Sequence, residues 1–138
     1  MLAPYIFKQA CRTLRFKPQL DLFANSYHHQ VARYCSPTPD PQAYRINAFS
    51  FNWPQEPQLY ANPPWPLIGA VLQKAVREKV RMMVVVPSWT GAHWYDLFRK
   101  ICESDLAVTA PCCLYPQFRM RPKPRWNTRL AIIDGRRG

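Results

Sequence analysis

The apolar run MMVVV at residues 82–86 constrains the fold of this chain more than any other feature. It contains three valines, whose branched side chains favour extended backbone, and Pro87 closes it. An unbroken run of this kind lacks the polar alternation of a strand with one solvent-exposed face. It is typical of a strand that is buried on both faces of a parallel sheet, and it therefore predicts an α/β protein.

Helical and extended patterns alternate along the rest of the chain. The predicted helices cover residues 4–16, 67–79 and 90–104, and the predicted strands cover residues 20–24, 58–61, 82–86, 106–109 and 130–133. The segment 25–57 has little periodicity and much turn chemistry, so it predicts a long excursion over the surface. Four aromatic residues are predicted to pack in the core or against helices, namely Trp53, Trp89, Trp94 and Tyr95.

The alternation of strands and helices predicts the fold class. We expect a Rossmann-like fold, with a mostly parallel, doubly wound sheet and flanking helices in one small domain that spans residues 1–138. Ligands of such sheets bind at the carboxyl ends of the strands. The predicted strand ends carry Asp21, Asn62 and Ser88, which makes this edge the expected position of a functional site.

Charge and cysteine content narrow the setting in which the protein works. Nineteen Lys or Arg residues against eight Asp or Glu residues give a formal net charge of +11, which predicts a polyanionic partner, nucleic acid ahead of a membrane surface. No apolar stretch approaches the ~18 residues that a membrane span needs, and the first residues do not resemble a signal peptide. Five cysteines without paired spacing predict a reducing, intracellular compartment, cytoplasmic or nuclear, rather than secretion.

The motif Asn62-Pro63-Pro64-Trp65, between a predicted strand and a predicted helix, is the most informative chemical signal. An amino group conjugated to a ring is a poor nucleophile because its lone pair is delocalised. An amide oxygen from Asn62 and the carbonyl of Pro63 provide two acceptors for the two N–H groups of such an amine, and Trp65 offers a ring for stacking. A base inside a duplex is stacked and unreachable, so this site requires an extruded base or a single strand.

The order of the motifs along the chain carries a family resemblance. LDLFAN at residues 20–25 is followed by ARY at 32–34, Trp53, YANPPWPLIG at 60–69, a strand that ends in Val86-Pro87, HWY at 93–95 and a final strand. Over about residues 19–134, this order resembles the small phage-type DNA N6-adenine methyltransferases. A closer resemblance is to the segment downstream of reverse transcriptase and RNase H in polyproteins of DIRS-like retroelements, which the strings DLFA, PDP and NAFS carry.

The resemblance implies a cofactor, a reaction and a set of site residues. It implies S-adenosylmethionine as cofactor and transfer of its methyl group to N6 of an extruded adenine in DNA. RNA stays open as an alternative nucleic-acid partner. Asn62, Pro63 and Trp65 are the expected catalytic residues. Asp21 is the first candidate for the carboxylate that holds the cofactor and Asp40 is the second; the expected cofactor-binding residues are Asp21, Phe23 and Asp40.

The basic segment at residues 115–138 is the predicted nucleic-acid surface. It carries seven Lys or Arg residues against the single acid Asp134, and it interleaves them with aromatic residues and prolines. Guanidinium groups there are expected to pair with phosphates, and a ring is expected to stack on a base. The predicted contacts are Arg119, Arg121, Lys123, Arg125, Trp126 and Arg129.

Two alternatives to an active DNA methyltransferase stay open. The chain has four glycines, and none of them lies in the loop directly after Asp21, where a glycine-rich cofactor loop is usual. One alternative is therefore a catalytically inactive nucleic-acid-binding remnant of a retrotransposon polyprotein. The other is a protein-glutamine methyltransferase, because a side-chain amide also fits an Asn-Pro-Pro turn. No metal site is predicted, since the spacing of histidines and cysteines matches no zinc motif.

Overall fold

The apolar run forms the central strand of a five-stranded sheet. The computed structural model describes residues 2–108 and 127–138. The helices of these residues are α1 (Pro4–Leu14), α2 (Ile68–Glu78) and α3 (Tyr95–Ile101). The strands are β1 (Leu20–Asp21), β2 (Cys35–Ser36), β3 (Arg45–Ile46), β4 (Leu59–Ala61), β5 (Arg81–Pro87), β6 (Cys102–Val108) and β7 (Thr128–Asp134).

The sheet has the strand order β1-β4-β5-β7-β6 and is mostly parallel in direction. Strands β1, β4 and β5 pair in parallel, whereas β7 is antiparallel to both β5 and β6. Four of the five strands therefore point the same way, and β7 is the exception. Strands β2 and β3 form a separate parallel pair, and a parallel bridge between Asp21 and Tyr34 connects the start of that pair to β1.

Helices cover both faces of the sheet, as the apolar run predicts. Met82, Val84 and Val86 of β5 are buried with residues of α2 and α3 in one core cluster. Met83 and Val85, which point to the opposite face, are buried with residues of α1 in a second cluster. Successive side chains of a strand point to opposite faces, so one apolar run supplies both cores.

The predicted elements are present, with differences at their ends. The prediction of a helix over residues 90–104 was wrong at both ends. The helix α3 begins only at Tyr95, and strand β6 begins at Cys102. Burial alternates along β6, which pairs with β7 on one side of the strand. Strand β1 is shorter than predicted, because the Asp21 carboxylate accepts a hydrogen bond from the N–H of Phe23 at 3.4 Å and turns the chain. The segment 25–57 contains β2 and β3.

The aromatic residues predicted to pack internally do so. Trp53, Trp94 and Tyr95 are buried in the core cluster of α2 and α3, and Trp89 is partly buried against it. In the part of the chain that the structure describes, no helix has both the length and the apolar character needed to cross a membrane.

Candidate functional site

A cleft of about 670 Å³ opens at the carboxyl ends of four neighbouring strands. Its lining includes Asp21 and the residues after β1, Pro37 after β2, Asn47 after β3, and Asn62 and Pro63 after β4. The carboxyl ends of parallel strands meet at one edge of a sheet, which is where open α/β folds bind ligands. Two of the predicted strand-end residues, Asp21 and Asn62, are thus brought together, whereas Ser88 is not among the lining residues.

Asp21 is the buried charge of the cleft. Asp21 is only 3% exposed, and its Oδ2 accepts a hydrogen bond from the backbone N–H of Gln30 at 2.9 Å. Desolvation is the largest influence and raises the pKa of Asp21 to about 6, although the N–H groups of Gln30 and Phe23 and the nearby His29 act in the opposite direction. The cleft therefore holds a carboxylate whose negative charge is incompletely compensated by the protein.

The loop after β1 forms one side of the cleft through contacts that are distant in sequence. The Nε2 group of Gln30 donates to the carbonyl of Leu2 at 2.7 Å, which holds the amino-terminal residues against the cleft. His29 donates from Nδ1 to the carbonyl of Val31 at 2.7 Å and stacks on Tyr34 at 4.7 Å between ring centroids. Since Nδ1 faces a carbonyl, it carries the proton in the neutral ring, and Nε2 is then an acceptor.

Aromatic residues give the cleft an apolar wall. Phe23 packs against Phe49 with ring centroids 6.0 Å apart, and Phe49 contacts the buried Trp53 at 6.3 Å. The indole N–H of Trp53 donates to the carbonyl of Ala48 at 2.8 Å, and Ala48 itself lines the cleft. This wall is suited to a planar or apolar ligand group beside the carboxylate of Asp21.

The Asn62-Pro63-Pro64 turn has the strand-to-helix setting that the sequence predicts. Asn62 follows β4 directly, and a single 3-10 turn (Trp65–Leu67) leads from the prolines into α2. Asn62 is half-buried and Pro63 is buried. Among the described residues, no side chain or backbone group forms a hydrogen bond with the Asn62 amide or the Pro63 carbonyl. Within residues 2–108 and 127–138, no group therefore competes with a ligand for either acceptor.

Trp65 lies next to this turn rather than within the lining of the cleft. It is 48% exposed and contacts Trp89 edge-on, with ring centroids 4.7 Å apart. Trp89 follows the carboxyl end of β5, so the two rings form an aromatic pair along the same edge of the sheet as the cleft.

Asp40 lies apart from the cleft. Its Oδ2 accepts a hydrogen bond from the hydroxyl of Tyr34 at 2.8 Å, and its Oδ1 accepts the N–H of Gln42 at 2.9 Å. It is not a lining residue, so the geometry favours Asp21 over Asp40 as the carboxylate that faces a ligand.

Most of the predicted nucleic-acid contacts lie outside the described residues; these are Arg119, Arg121, Lys123, Arg125 and Trp126. Arg129 is described and belongs to β7. Its guanidinium group forms an ion pair with Asp105 of β6. That cation is engaged within the sheet, so a phosphate would have to compete with Asp105 for it.

Sequence reasoning did not identify several polar residues of the cleft, above all His28, His29, Gln30 and Asn47. Asn47 has a positive φ of 60°, and its Oδ1 accepts the N–H of Phe49 at 3.0 Å. Asparagine tolerates this left-handed conformation better than most residues, which was the one local signal available. No three His, Cys, Asp or Glu side chains within residues 2–108 and 127–138 are grouped as metal ligands.

Comparison of the chain with known protein families and with curated proteins finds no match.

Proposed function

We propose that this chain is an S-adenosylmethionine-dependent methyltransferase domain that acts on the exocyclic N6 amino group of adenine in DNA. One observation carries the proposal. The buried Asp21 carboxylate and the Asn62-Pro63 acceptors, which arise from adjacent parallel strands, line the same cleft. The first suits a cationic cofactor and the second suits a conjugated amine.

The strand order supports a Rossmann-like assignment. The separate pair and the main sheet together follow the order β3-β2-β1-β4-β5, joined by the bridge between Asp21 and Tyr34. Doubly wound nucleotide-binding sheets begin with the same order, and their ligands bind where the order reverses. In this chain the reversal falls between β1 and β4, and these strands deliver Asp21 and Asn62 to the cleft.

The residues of the cleft fit S-adenosylmethionine. Its ammonium and sulfonium groups are cations, and burial leaves the Asp21 carboxylate in need of a counter-charge. Its adenine ring suits the apolar wall of Phe23 and Phe49. A volume of about 670 Å³ also lies within the range of about 300–1,000 Å³ that is typical of small-molecule sites.

The protein groups account for activation of the amine. When bound, the cofactor supplies a methyl group on a positively charged sulfur, and transfer to the amine breaks that S–C bond, forms an N–C bond and releases one proton. Asn62 Oδ1 and the Pro63 carbonyl accept the two N–H groups, which draws the nitrogen lone pair out of conjugation. The flanking Pro64 restricts the backbone, so the acceptors are held in position before the amine arrives.

The base must leave its stack to reach these acceptors. Extrusion costs a few kcal/mol, and stacking on an aromatic side chain returns roughly 1–3 kcal/mol. Trp65, which lies beside the cleft and is 48% exposed, is the ring that we propose for such stacking. The net charge of +11 favours association with the phosphate backbone, in DNA or in RNA.

Calorimetric titration with S-adenosylmethionine is the first experiment. We expect wild type to bind and Asp21→Asn, which keeps the shape but removes the charge, to lose most of the affinity. Asp96→Asn is the matched control, because Asp96 is exposed on α3 and outside the cleft. Asp40→Asn separates the two candidate carboxylates and is expected to retain binding. Absence of binding by folded wild type would favour the inactive nucleic-acid-binding remnant.

Methyl transfer to adenine-containing oligonucleotides is the second experiment. Asn62→Ala should retain cofactor binding and lose transfer by at least about a hundredfold, as expected for a residue that stabilises the transition state. Asn52→Ala is the matched control, because Asn52 is exposed and its side chain forms no capping hydrogen bond with the short helical turn that follows it. Transfer to glutamine peptides instead of oligonucleotides would favour the protein-methyltransferase alternative.

A further inference from the structure

A second groove lies at the opposite edge of the sheet from the cleft. It has a volume of about 760 Å³ and is formed by one side of α1 and by residues at the amino ends of three strands. Lys17 and Pro18 precede β1, Gln58 precedes β4, and Arg81 begins β5. Gln58 of the groove and Asn62 of the cleft flank β4 and are four residues apart, which at about 3.3 Å per residue separates the two sites by about 13 Å.

The charge of this groove is entirely positive among the described residues that line it. It contains five cations and no carboxylate: Lys8, Arg12, Arg15, Lys17 and Arg81. Arg81 is engaged, because its guanidinium group donates to both carboxylate oxygens of Glu103 at 3.0 and 2.6 Å. The other four are exposed, and within the described part of the chain none of them forms an ion pair.

The spacing of the free cations suits a repeating anion. Lys8 and Arg12 are four residues apart and therefore share one face of α1, and Arg15 follows directly as the residue that ends the helix, with a positive φ of 54°. Lys17 extends the row beyond the end of the helix. A helix carboxyl terminus favours nearby cations, which accounts for Arg12 and Arg15 but not for Lys8 or Lys17.

The rings of the groove indicate which kind of nucleic acid it suits. Phe7 and Phe16 line it but are only 5% and 3% exposed, and Arg81 covers the Phe16 ring at 5.5 Å. Proteins that bind single strands stack the bases on exposed aromatic rings. These lining rings are not available for stacking, whereas a duplex offers its phosphates and keeps its bases inside.

We propose that this amino-edge groove, formed by Lys8, Arg12, Arg15 and Lys17 on one side of α1 and beyond it, is a sequence-independent binding site for the phosphate backbone of duplex DNA. The site is separate from the cleft, and it does not depend on the proposed methyl transfer. It holds the chain on a duplex while the carboxyl edge of the sheet remains open.

Salt dependence of binding to a short random-sequence duplex tests the groove. The full chain and the triple variant Lys8→Gln, Arg12→Gln, Arg15→Gln are compared between about 50 and 200 mM salt, without cofactor. Each lost phosphate contact reduces the slope of log K against log salt by about 0.9, so the triple variant should have a slope shallower by about 2 to 3. Lys17→Gln lies outside the helix and should reduce the slope by about 1 without affecting α1.

The matched control is Arg77→Gln, Arg99→Gln, Lys100→Gln, which removes the same charge from exposed positions of α2 and α3, outside the groove. It should leave the slope of wild type nearly unchanged. Equal losses in both triple variants, or no loss in either, would overturn the proposal.

A footprint at Cys11 locates the bound duplex. Cys11 lines the groove and is half-buried, so its alkylation rate can be followed by mass spectrometry. Duplex DNA should slow this reaction in wild type but not in the groove variant. Protection of Cys11 by an acidic peptide or by anionic vesicles, with none from DNA, would overturn the assignment to DNA.

Discussion

The carboxylate of Asp21 and the backbone N–H of Gln30 are joined by a hydrogen bond of 2.9 Å that ties the two ends of a cleft-lining loop together. The bond spans nine residues and holds a nearly inaccessible charge at the end of β1. Hydrogen bonds to a carboxylate lower its pKa, yet desolvation outweighs them here and raises the pKa of Asp21 to about 6. The ionised carboxylate is thus kept at a cost to stability.

The stability of the protein should fall as pH rises through the Asp21 titration. The folded-state pKa of Asp21 is about 6 and above the unfolded value, so protonation of this carboxyl group stabilises the folded state. This contribution to the free energy of unfolding is complete below about pH 4 and lost above pH 6. The shift corresponds to about 3 kcal/mol of unfolding free energy. Urea unfolding of wild type and Asp21→Asn from pH 4 to 7 measures it. We expect wild type to weaken relative to the variant, and a constant difference would contradict this.

Binding of S-adenosylmethionine should show the opposite dependence on pH. A cationic ligand binds the ionised form of Asp21, so below about pH 6 the carboxyl group must first lose a proton. The association constant is expected to rise about tenfold per unit from pH 4.5 to 6 and then to level off. Titrations in buffers of different ionisation enthalpy should detect release of a proton near pH 6. A flat profile would indicate that the ligand does not face Asp21.

Local pattern was sufficient to predict the strand-end residues of the cleft. The apolar run predicts a sheet with parallel strands, and short apolar stretches before Asp21 and Asn62 predict that both end at the same edge. The two residues do line one cleft. Parallel strands with buried faces have a strong sequence signal, which is why this part of the site could be predicted.

The other side of the cleft could not be predicted because its contacts are long-range. Gln30 reaches Asp21 and Leu2, and Asn47 donates its N–H to the carbonyl of Ser36 at 2.7 Å. Strands of two residues, such as β2, have no periodicity to detect. For the same reason, the change from helix to strand at Cys102 was missed, since the pairing with β7 decides it.

Lys74→Met should destabilise the protein although the residue lies outside the cleft. Lys74 is only 6% exposed, pairs with Glu78, and lies 5.2 Å from the ring centroid of Trp53. Removing it leaves the Glu78 carboxylate without its cation, which costs about 3 kcal/mol in comparable buried pairs. Denaturant unfolding of the single and double variants measures the effect.

The double variant Lys74→Met, Glu78→Gln separates lost packing from unpaired charge. In the wild-type protein the backbone N–H of Trp53 donates to Glu78 Oε1 at 2.8 Å, and a glutamine retains an acceptor for it. We therefore expect the second substitution to restore most of the lost stability. No recovery would indicate that packing of the lysine stem on Trp53 was the larger contribution.

Gly135→Ala should destabilise the protein through a steric clash rather than through backbone conformation. A Cβ atom at this position would lie 1.9 Å from the carbonyl oxygen of Ala75 in α2 and 2.5 Å from its carbon, and neither backbone atom can move aside easily. We expect a loss of at least about 1–3 kcal/mol in urea unfolding, because α2 must shift away from the end of β7. Gly91→Ala is the matched control, since an added Cβ there meets no atom within 4 Å, and it should change stability by less than about 0.5 kcal/mol. Equal stability of the two variants would show that α2 is not held against residue 135. α2 begins shortly after Asn62 and Pro63, so a shift of this helix should displace the two acceptors. Gly135→Ala should therefore reduce methyl transfer more than Gly91→Ala at temperatures where both proteins remain folded.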